Sequence, residues 1–296
     1  MARRQLGTRK VGHAGTLDPL ASGVLLLLSD EHTRLSNHLT ASDKTYLAWV
    51  SFGGTTETLD AEGPLVEGSP PDPGELQERL PGTFGHFLEL AEQVPPSYSA
   101  VKLAGVKGYE AARRGEELGL PSRPAGYAAI ELLAVADSLA GLPAAFAPVK
   151  PGVYRPDPAG RTFELPAELA PLPTALLSVT VKAGTYIRAF ARDLGGLLGC
   201  GAFLSGLVRT AAGRVTLEQC SPVDAIGSAP GLDPLAALKQ QVITLDAGQA
   251  ARVRQGQRLP LTFDGSAALV DEQGRLVAMA EALDGRMKLQ AVFPAD

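Results

Sequence analysis

Cysteine, lysine and long apolar runs are all scarce in this chain. Cys200 and Cys220 are the only cysteines among 296 residues and show no metal-binding spacing, which argues against a disulfide framework or a cysteine–zinc site and suits a reducing compartment. No continuous apolar run approaches the ~20 residues of a membrane-spanning helix. Met1 to Gln5 leads into the chain with no apolar signal segment, so a cytoplasmic location is the default expectation. Gly-Lys-Ser/Thr is absent, which removes the P-loop. Positive charge is also in deficit: the formal net charge of -5 argues against a general nucleic-acid binder, since phosphate contacts need cations.

What is present is enough apolar material for a proper core, 45% of residues, and room for a catalytic domain of about 150 to 250 residues plus a small appendage. The basic residues are unevenly distributed. Arginine outnumbers lysine 19 to 8 and gathers at Arg3, Arg4 and Arg9 with Lys10, at Arg113 and Arg114, at Arg188 and Arg192 with Lys182, and at Arg252, Arg254 and Arg258. Arginine suits bidentate phosphate contacts and stacking on bases, so several clusters along one RNA path are compatible with the negative total.

The apolar run Val24 to Leu28 reads as a buried strand, and residues 31–39 as a short helix with Leu35 and Leu39 on one side. Lys44 to Phe52 is aromatic and β-branched and stops at Gly53-Gly54, as a strand does. Glu75 to Leu80 reads as helix, Thr83 to Leu90 as strand, Tyr109 to Arg114 as helix, and Ala129 to Ala136 and Leu176 to Lys182 as strands. The Pro-, Ala- and Gly-rich stretch over 139–173 reads as an insertion or extended excursion. After a break at Ser228 to Pro234 and a brief helix around Leu235 to Gln241, the last ~50 residues alternate short apolar strands with glycine-bearing turns, a pattern that suggests a small β-barrel. The fold expected is α+β: a catalytic domain over 1–230 with a mixed, mainly antiparallel sheet flanked by helices, and a barrel over 240–296.

Two segments carry chemistry. Gly12-His13-Ala14-Gly15-Thr16-Leu17-Asp18-Pro19-Leu20-Ala21-Ser22-Gly23 sets one carboxylate in a loop whose glycines, Gly15 among them, allow close backbone approach. Asp18 before Pro19 is good chemistry for a helix cap, but a carboxylate against an apolar strand is costly unless something pairs with it or uses it. The second segment is Val181-Lys182-Ala183-Gly184-Thr185-Tyr186-Ile187-Arg188-Ala189-Phe190-Ala191-Arg192-Asp193-Leu194-Gly195, continuing to Leu207-Val208-Arg209. A strand ends at Gly184, and a helix from about Thr185 to Gly195 presents Arg188 at its N-terminal end, where anions are favoured.

Both segments resemble the TruB family of tRNA pseudouridine synthases, in the family's order. Asp43-Lys44-Thr45-Tyr46 is similar to its Lys-x-Tyr strand, and Pro95-Pro96-Ser97-Tyr98-Ser99-Ala100 to its Pro-Pro-x-Tyr-Ser-Ala segment. The resemblance implies that Asp18 is the catalytic aspartate, paired with Arg188, and that Tyr46 contacts the target base. It further implies that Leu207 lines the uracil pocket and that His13 enters the RNA loop as the base flips out. Gly15, Lys44 and Tyr186, from the same motifs, complete the expected substrate contacts, with Arg9, Lys10, Lys182 and Arg209 expected on the RNA backbone. The implied substrate is uridine-55 in the T loop of tRNA, with no metal, no membrane and no obligatory protein partner, acting as a monomer. The C-terminal part resembles the RNA-binding PUA domain, the least specific of the matches. His-Thr-Gly of the family is His13-Ala14-Gly15 here, and the family's N-terminal strand with its Lys-Pro pair is missing before the loop, which reads as an N-terminal shortening.

The isomerisation breaks the N1 to C1′ glycosidic bond, turns the uracil and rejoins it through C5, with no net redox change and no phosphate donor, so no cofactor is required. It needs a carboxylate near C1′ or C2′, shielded from water, and Arg188 offsets the cost of burying one. Tyr46 offers a face for stacking and a phenol for proton movement. A stacked nucleotide hides its glycosidic bond, so the base must be flipped, and the RNA is read through shape, phosphates and unstacked bases. Whether Asp18 attacks C1′, adds to the base or deprotonates C2′ stays open. So do the same reaction on another RNA and an RNA-binding or folding protein with lost catalysis. A glycoside hydrolase lacks a convincing second carboxylate near Asp18, since Asp30 and Glu31 lie beyond the apolar strand.

Overall fold

The computed structural model describes residues 1–296 apart from 100, 104–105, 109–113, 115–118, 284–285 and 296. The helix expected over Tyr109 to Arg114 lies, save for Arg114, outside the described residues.

A mainly antiparallel sheet organises the chain. Its centre is β4 (Lys44–Phe52), and the earlier strands β1 (Val11–Ala14), β2 (Ala21–Gly23) and β3 (Leu26–Ser29) carry the loop that ends on it. After the small hairpin β5 (Gly54–Thr56) and β6 (Leu65–Glu67), the sheet continues in β7 (Tyr127–Ala136), then in β11 (Thr174–Val181), β12 (Ala202–Ala212) and β13 (Val215–Thr216). The spatial order is β7-β11-β4-β12-β13, all antiparallel, with β2 added parallel to β12.

The run of apolar residues in β4 exists because both faces of the sheet are covered. With a period of two, Tyr46, Ala48, Val50 and Phe52 pack beneath α2 (Pro73–Leu88) and α3 (Ile187–Leu198), on Leu80, Phe87, Phe190 and Leu194. Leu47 and Trp49 face the other way, onto Phe146, Tyr154, Leu176 and Val208. The expected α+β architecture with an antiparallel-dominant sheet is therefore what the chain adopts.

Several local expectations are corrected. Val24 to Leu28 is not one strand: β2 ends at Gly23 and β3 begins at Leu26, because the first piece joins β12 and the second turns back on β1. Residues 30–40 form a 3-10 turn, Asp30–Leu35, running into α1 (Ser36–Thr40). The strand expected over Thr83 to Leu90 is instead the second half of α2. Asp72 caps that helix by accepting from Gly74 N at 2.9 Å and Glu75 N at 3.1 Å, and Pro73 opens it. Pro81 removes one helical donor, but Leu76, Leu80, Phe84 and Phe87 make a continuous buried stripe at helical spacing, and that burial outweighs the break. The helix expected to close at Gly195 runs on to Leu198 and ends at Gly199 with φ +76°.

The 139–173 stretch is more than an excursion. It holds a three-stranded sheet of β9 (Val153–Pro156), β8 (Ala145–Lys150) and β10 (Arg161–Thr162), in that order, which lays Phe146 edge-on against Trp49 at 5.7 Å. After a short turn of helix over Pro234–Ala237, the C-terminal strands β14 (Gln241–Thr244), β15 (Ser266–Val270), β16 (Leu276–Leu283) and β17 (Arg286–Val292) follow.

The β-barrel expected over 240–296 does not form. The four C-terminal strands make an open sheet in chain order, and no sheet among the described residues closes. Closure would hide two edges; this sheet instead covers two faces. Ala267 and Leu269 pack under α4 (Ala247–Arg254) on Ala250 and Val253, while Ala268, Met279 and Ala291 share a core with Ala14, Val24 and Leu35. His32 stacks on Phe293 at 5.8 Å across the same seam.

Candidate active site

The pairing of β1 with β3, from Val11 opposite Ser29 to Ala14 opposite Leu26, pinches the chain so that residues 15–25 stand out as a loop over the edge of β12. Asp18 does not cap a helix. Ala21 N donates to Asp18 O at 2.9 Å, so Asp18-Pro19-Leu20-Ala21 is a β-turn with proline at its second position. The turn aims the Asp18 side chain, about 33% exposed, at the start of α3.

Arg188 meets it there as a fork: Nε donates to Asp18 Oδ2 at 2.9 Å and Nη2 to Oδ1 at 3.0 Å. The guanidinium is buried, at 6% exposure, and two further donors go to Thr58 O and Tyr98 O, both at 3.0 Å. A second carboxylate stands behind it. Asp60, 2% exposed, has Oδ2 3.5 Å from Arg188 Nε and accepts from Thr58 Oγ1 at 2.5 Å and Glu62 N at 3.1 Å. The loop supplying these groups is strained at Leu59, a non-glycine residue at φ +62°, and is pinned to the sheet through Leu204. Arg188 is thus held from behind, and its fixed geometry orients Asp18.

The start of α3 is fixed as well. Gln93, 5% exposed, accepts from Tyr186 N at 3.0 Å and donates to the Tyr127 hydroxyl at 2.8 Å, while Thr185 Oγ1 bonds both Gly126 N and Gly126 O.

In front of Asp18 lies a cavity of about 540 Å³, within the range of small-ligand sites. Tyr46 and Leu207, buried at 9% and 5% exposure, form part of its wall, with Gly15, Tyr186 and Lys182 at other points around it. Burial raises the Tyr46 phenol above its ordinary pKa, with the adjacent Arg209 cation opposing and Asp18 adding to the rise. Tyr186 is also raised, chiefly by burial. Lys44 sits in the wall with Nζ donating to Thr40 O and Ser42 O, each at 2.5 Å; burial, reinforced by Arg209, brings its pKa down to about 8.

The structure therefore brings Asp18, Arg188, Tyr46, Lys44, Gly15, Tyr186, Leu207 and Lys182 to one place. His13 is exposed on β1, with Nδ1 2.9 Å from Gly15 O, and does not line the cavity. Arg9 and Lys10 are exposed on the segment before β1, whereas Arg209 is 2% exposed and inside the cavity wall. Sequence reasoning missed Asp60, Gln93 and the carbonyl of Thr58. Thr-Leu-Asp-Ala-Glu-Gly over 58–63 reads as an ordinary turn, and no spacing links it to Arg188. It also missed Asn37 and Thr40, which place α1 along one side of the cavity.

A fixed carboxylate–guanidinium fork therefore stands at the mouth of a cavity of small-ligand size, on an antiparallel sheet covered by helices. The model of the TruB family pseudouridylate synthase N-terminal domain matches residues 3–147. A tRNA pseudouridine synthase B of Thermus thermophilus is 47% identical over 294 residues, 99% of this chain and 92% of the relative. One of Deinococcus deserti is 42% identical over 288 residues, 97% of this chain and 92% of the relative. The chain belongs to the TruB family. Among solved structures, an archaeal box H/ACA sRNP Nop10–Cbf5 complex shares the fold, with a TM-score of 0.57 at 19% identity over 99% of this chain and 80% of that one.

Proposed function

We propose that this pseudouridine synthase isomerises uridine-55 in the T loop of tRNA, with Asp18 acting at the sugar as the N1–C1′ bond breaks and the C5–C1′ bond forms. The supporting observation is the Asp18–Arg188 fork: the arginine is buried and held by four hydrogen bonds, while the carboxylate keeps a third of its surface open. In this reading Arg188 fixes the angle of Asp18, Tyr46 stacks on the uracil and assists loss of the C5 proton, and Leu207 bounds the pocket. N1 gains the proton that C5 gives up in the overall balance, so no donor is consumed. His13 follows the displaced stack from the RNA side.

Exposed Arg9, Lys10 and Lys182 are the proposed phosphate contacts, and residues 240–296, with exposed Arg252 and Arg258, are an RNA-binding unit beside a catalytic unit over 1–230. The enzyme acts as a cytoplasmic monomer. Purified protein, with scattering mass measured alongside, is given a T stem-loop RNA with no guide RNA or partner. Pseudouridine at the T-loop uridine supports the reading; binding without product, or product only on other RNAs, overturns it.

A further inference from the structure

Arg209 does not fit the role of a phosphate contact. Its backbone lies in β12, opposite Tyr46 on one side and opposite Gly23 of β2 on the other. Its own carbonyl accepts from Val24 N at 2.8 Å. The side chain then turns back over the same loop: Nε donates to Val24 O at 2.6 Å and Nη1 donates to Thr16 O at 2.9 Å. One residue therefore holds both ends of the segment that carries Asp18, by three hydrogen bonds to its backbone.

The seam is built tightly around it. Gly15 and Gly23 bracket the loop at φ +91° and +99°, and a Cβ at Gly23 would lie 2.2 Å from Arg209 O. At 2% exposure the guanidinium is one of the largest fully buried side chains, and Nη2 is buried without a hydrogen-bond partner. Keeping such a group inside is costly, and the two carbonyls it joins belong to the Asp18 loop.

We propose that Arg209 is a positioning residue: a two-ended clamp on the Asp18 loop that sets the carboxylate against Arg188 and the cavity, without contacting an RNA phosphate. The inference rests on the uridine-isomerase reading, and wild type assayed in parallel separates the two: no product from wild type fails that reading, whereas an active wild type isolates the clamp.

Arg209→Lys keeps the buried charge but puts a single nitrogen near the centre of the guanidinium, losing the fork. With T stem-loop RNA, the clamp gives a 10- to 100-fold lower kcat, KM within threefold of wild type, and an unchanged salt slope of RNA affinity. Arg209→Met deepens the loss of kcat and again leaves the salt slope unchanged in folded protein. A kcat within threefold of wild type for Arg209→Lys overturns the proposal. So does a salt slope about one unit shallower for folded Arg209→Met, the mark of a lost phosphate contact. Should Arg209→Met not fold, the kcat of Arg209→Lys decides alone.

Discussion

Arg188→Met tests whether the site is held together by its buried charges. Truncation removes four hydrogen bonds, two to Asp18 and one each to Thr58 O and Tyr98 O, and leaves Asp60 at 2% exposure with no countercharge within its loop. Removing one partner of a buried pair costs about 3–5 kcal/mol. Asp18 is 33% exposed and regains water, so the lower part of that range, about 3–4 kcal/mol, is expected. Asp60→Asn alone takes one countercharge from 3.5 Å but leaves the fork and both carbonyls, for a cost of about 1–2 kcal/mol. The double variant buries no unpaired charge, so it is expected to be more stable than Arg188→Met by about 1–2 kcal/mol, a coupling of the kind seen for residues in contact.

Urea unfolding at pH 7, followed by fluorescence of the single tryptophan Trp49, 1% exposed, measures all four proteins. A loss below about 1 kcal/mol for Arg188→Met, or a double variant no more stable than the sum of the singles, refutes the reasoning.

Two further outcomes are expected. Because the Lys44 pKa is brought down to about 8 in the folded protein from the ordinary 10.5, the unfolded state binds more protons between those values and stability rises with pH across them. Wild type should gain about 2 kcal/mol on Lys44→Met between roughly pH 7.5 and 9.5, and a flat or falling difference in urea midpoints contradicts this. In α3, Gly195→Ala would put a Cβ 2.3 Å from Ala202 N, whereas Gly196→Ala meets nothing within 4 Å. The first should cost more than about 2 kcal/mol and the second should stabilise by up to about 1 kcal/mol, and equal melting shifts would refute the packing described.

Legibility followed the scale of the signal. Asp18, Arg188, Tyr46 and Leu207 lie in dense motifs, and the sheet strands show in the apolar runs of β4 and β11. Asp60 was hidden because its role depends on a 128-residue contact to Arg188 that no local spacing encodes. Arg209, expected on the RNA backbone, is buried at 2% exposure, because an arginine's burial is decided by which carbonyls surround it, not by its neighbours in sequence. A helix over Glu75 to Leu80 followed by a strand over Thr83 to Leu90 was expected where the stripe Leu76–Leu80–Phe84–Phe87 carries one helix through Pro81. The alternation of short apolar strands with turns was legible in the C-terminal part, although the helix Ala247–Arg254 was not. The failure of those strands to close was not legible either, because it depends on Met279 and Ala291 packing against the body of the molecule rather than across a barrel.

The central claim is that the carboxylate of Asp18 performs the isomerisation. Asp18→Asn keeps the size of the side chain and the Arg188 neighbourhood, and the measurement is carbodiimide-dependent primer-extension stops at the T-loop uridine after overnight reaction. The expected result is no stop above background from a variant that still binds the T-arm RNA with affinity close to wild type. Product formation within tenfold of wild type would contradict it.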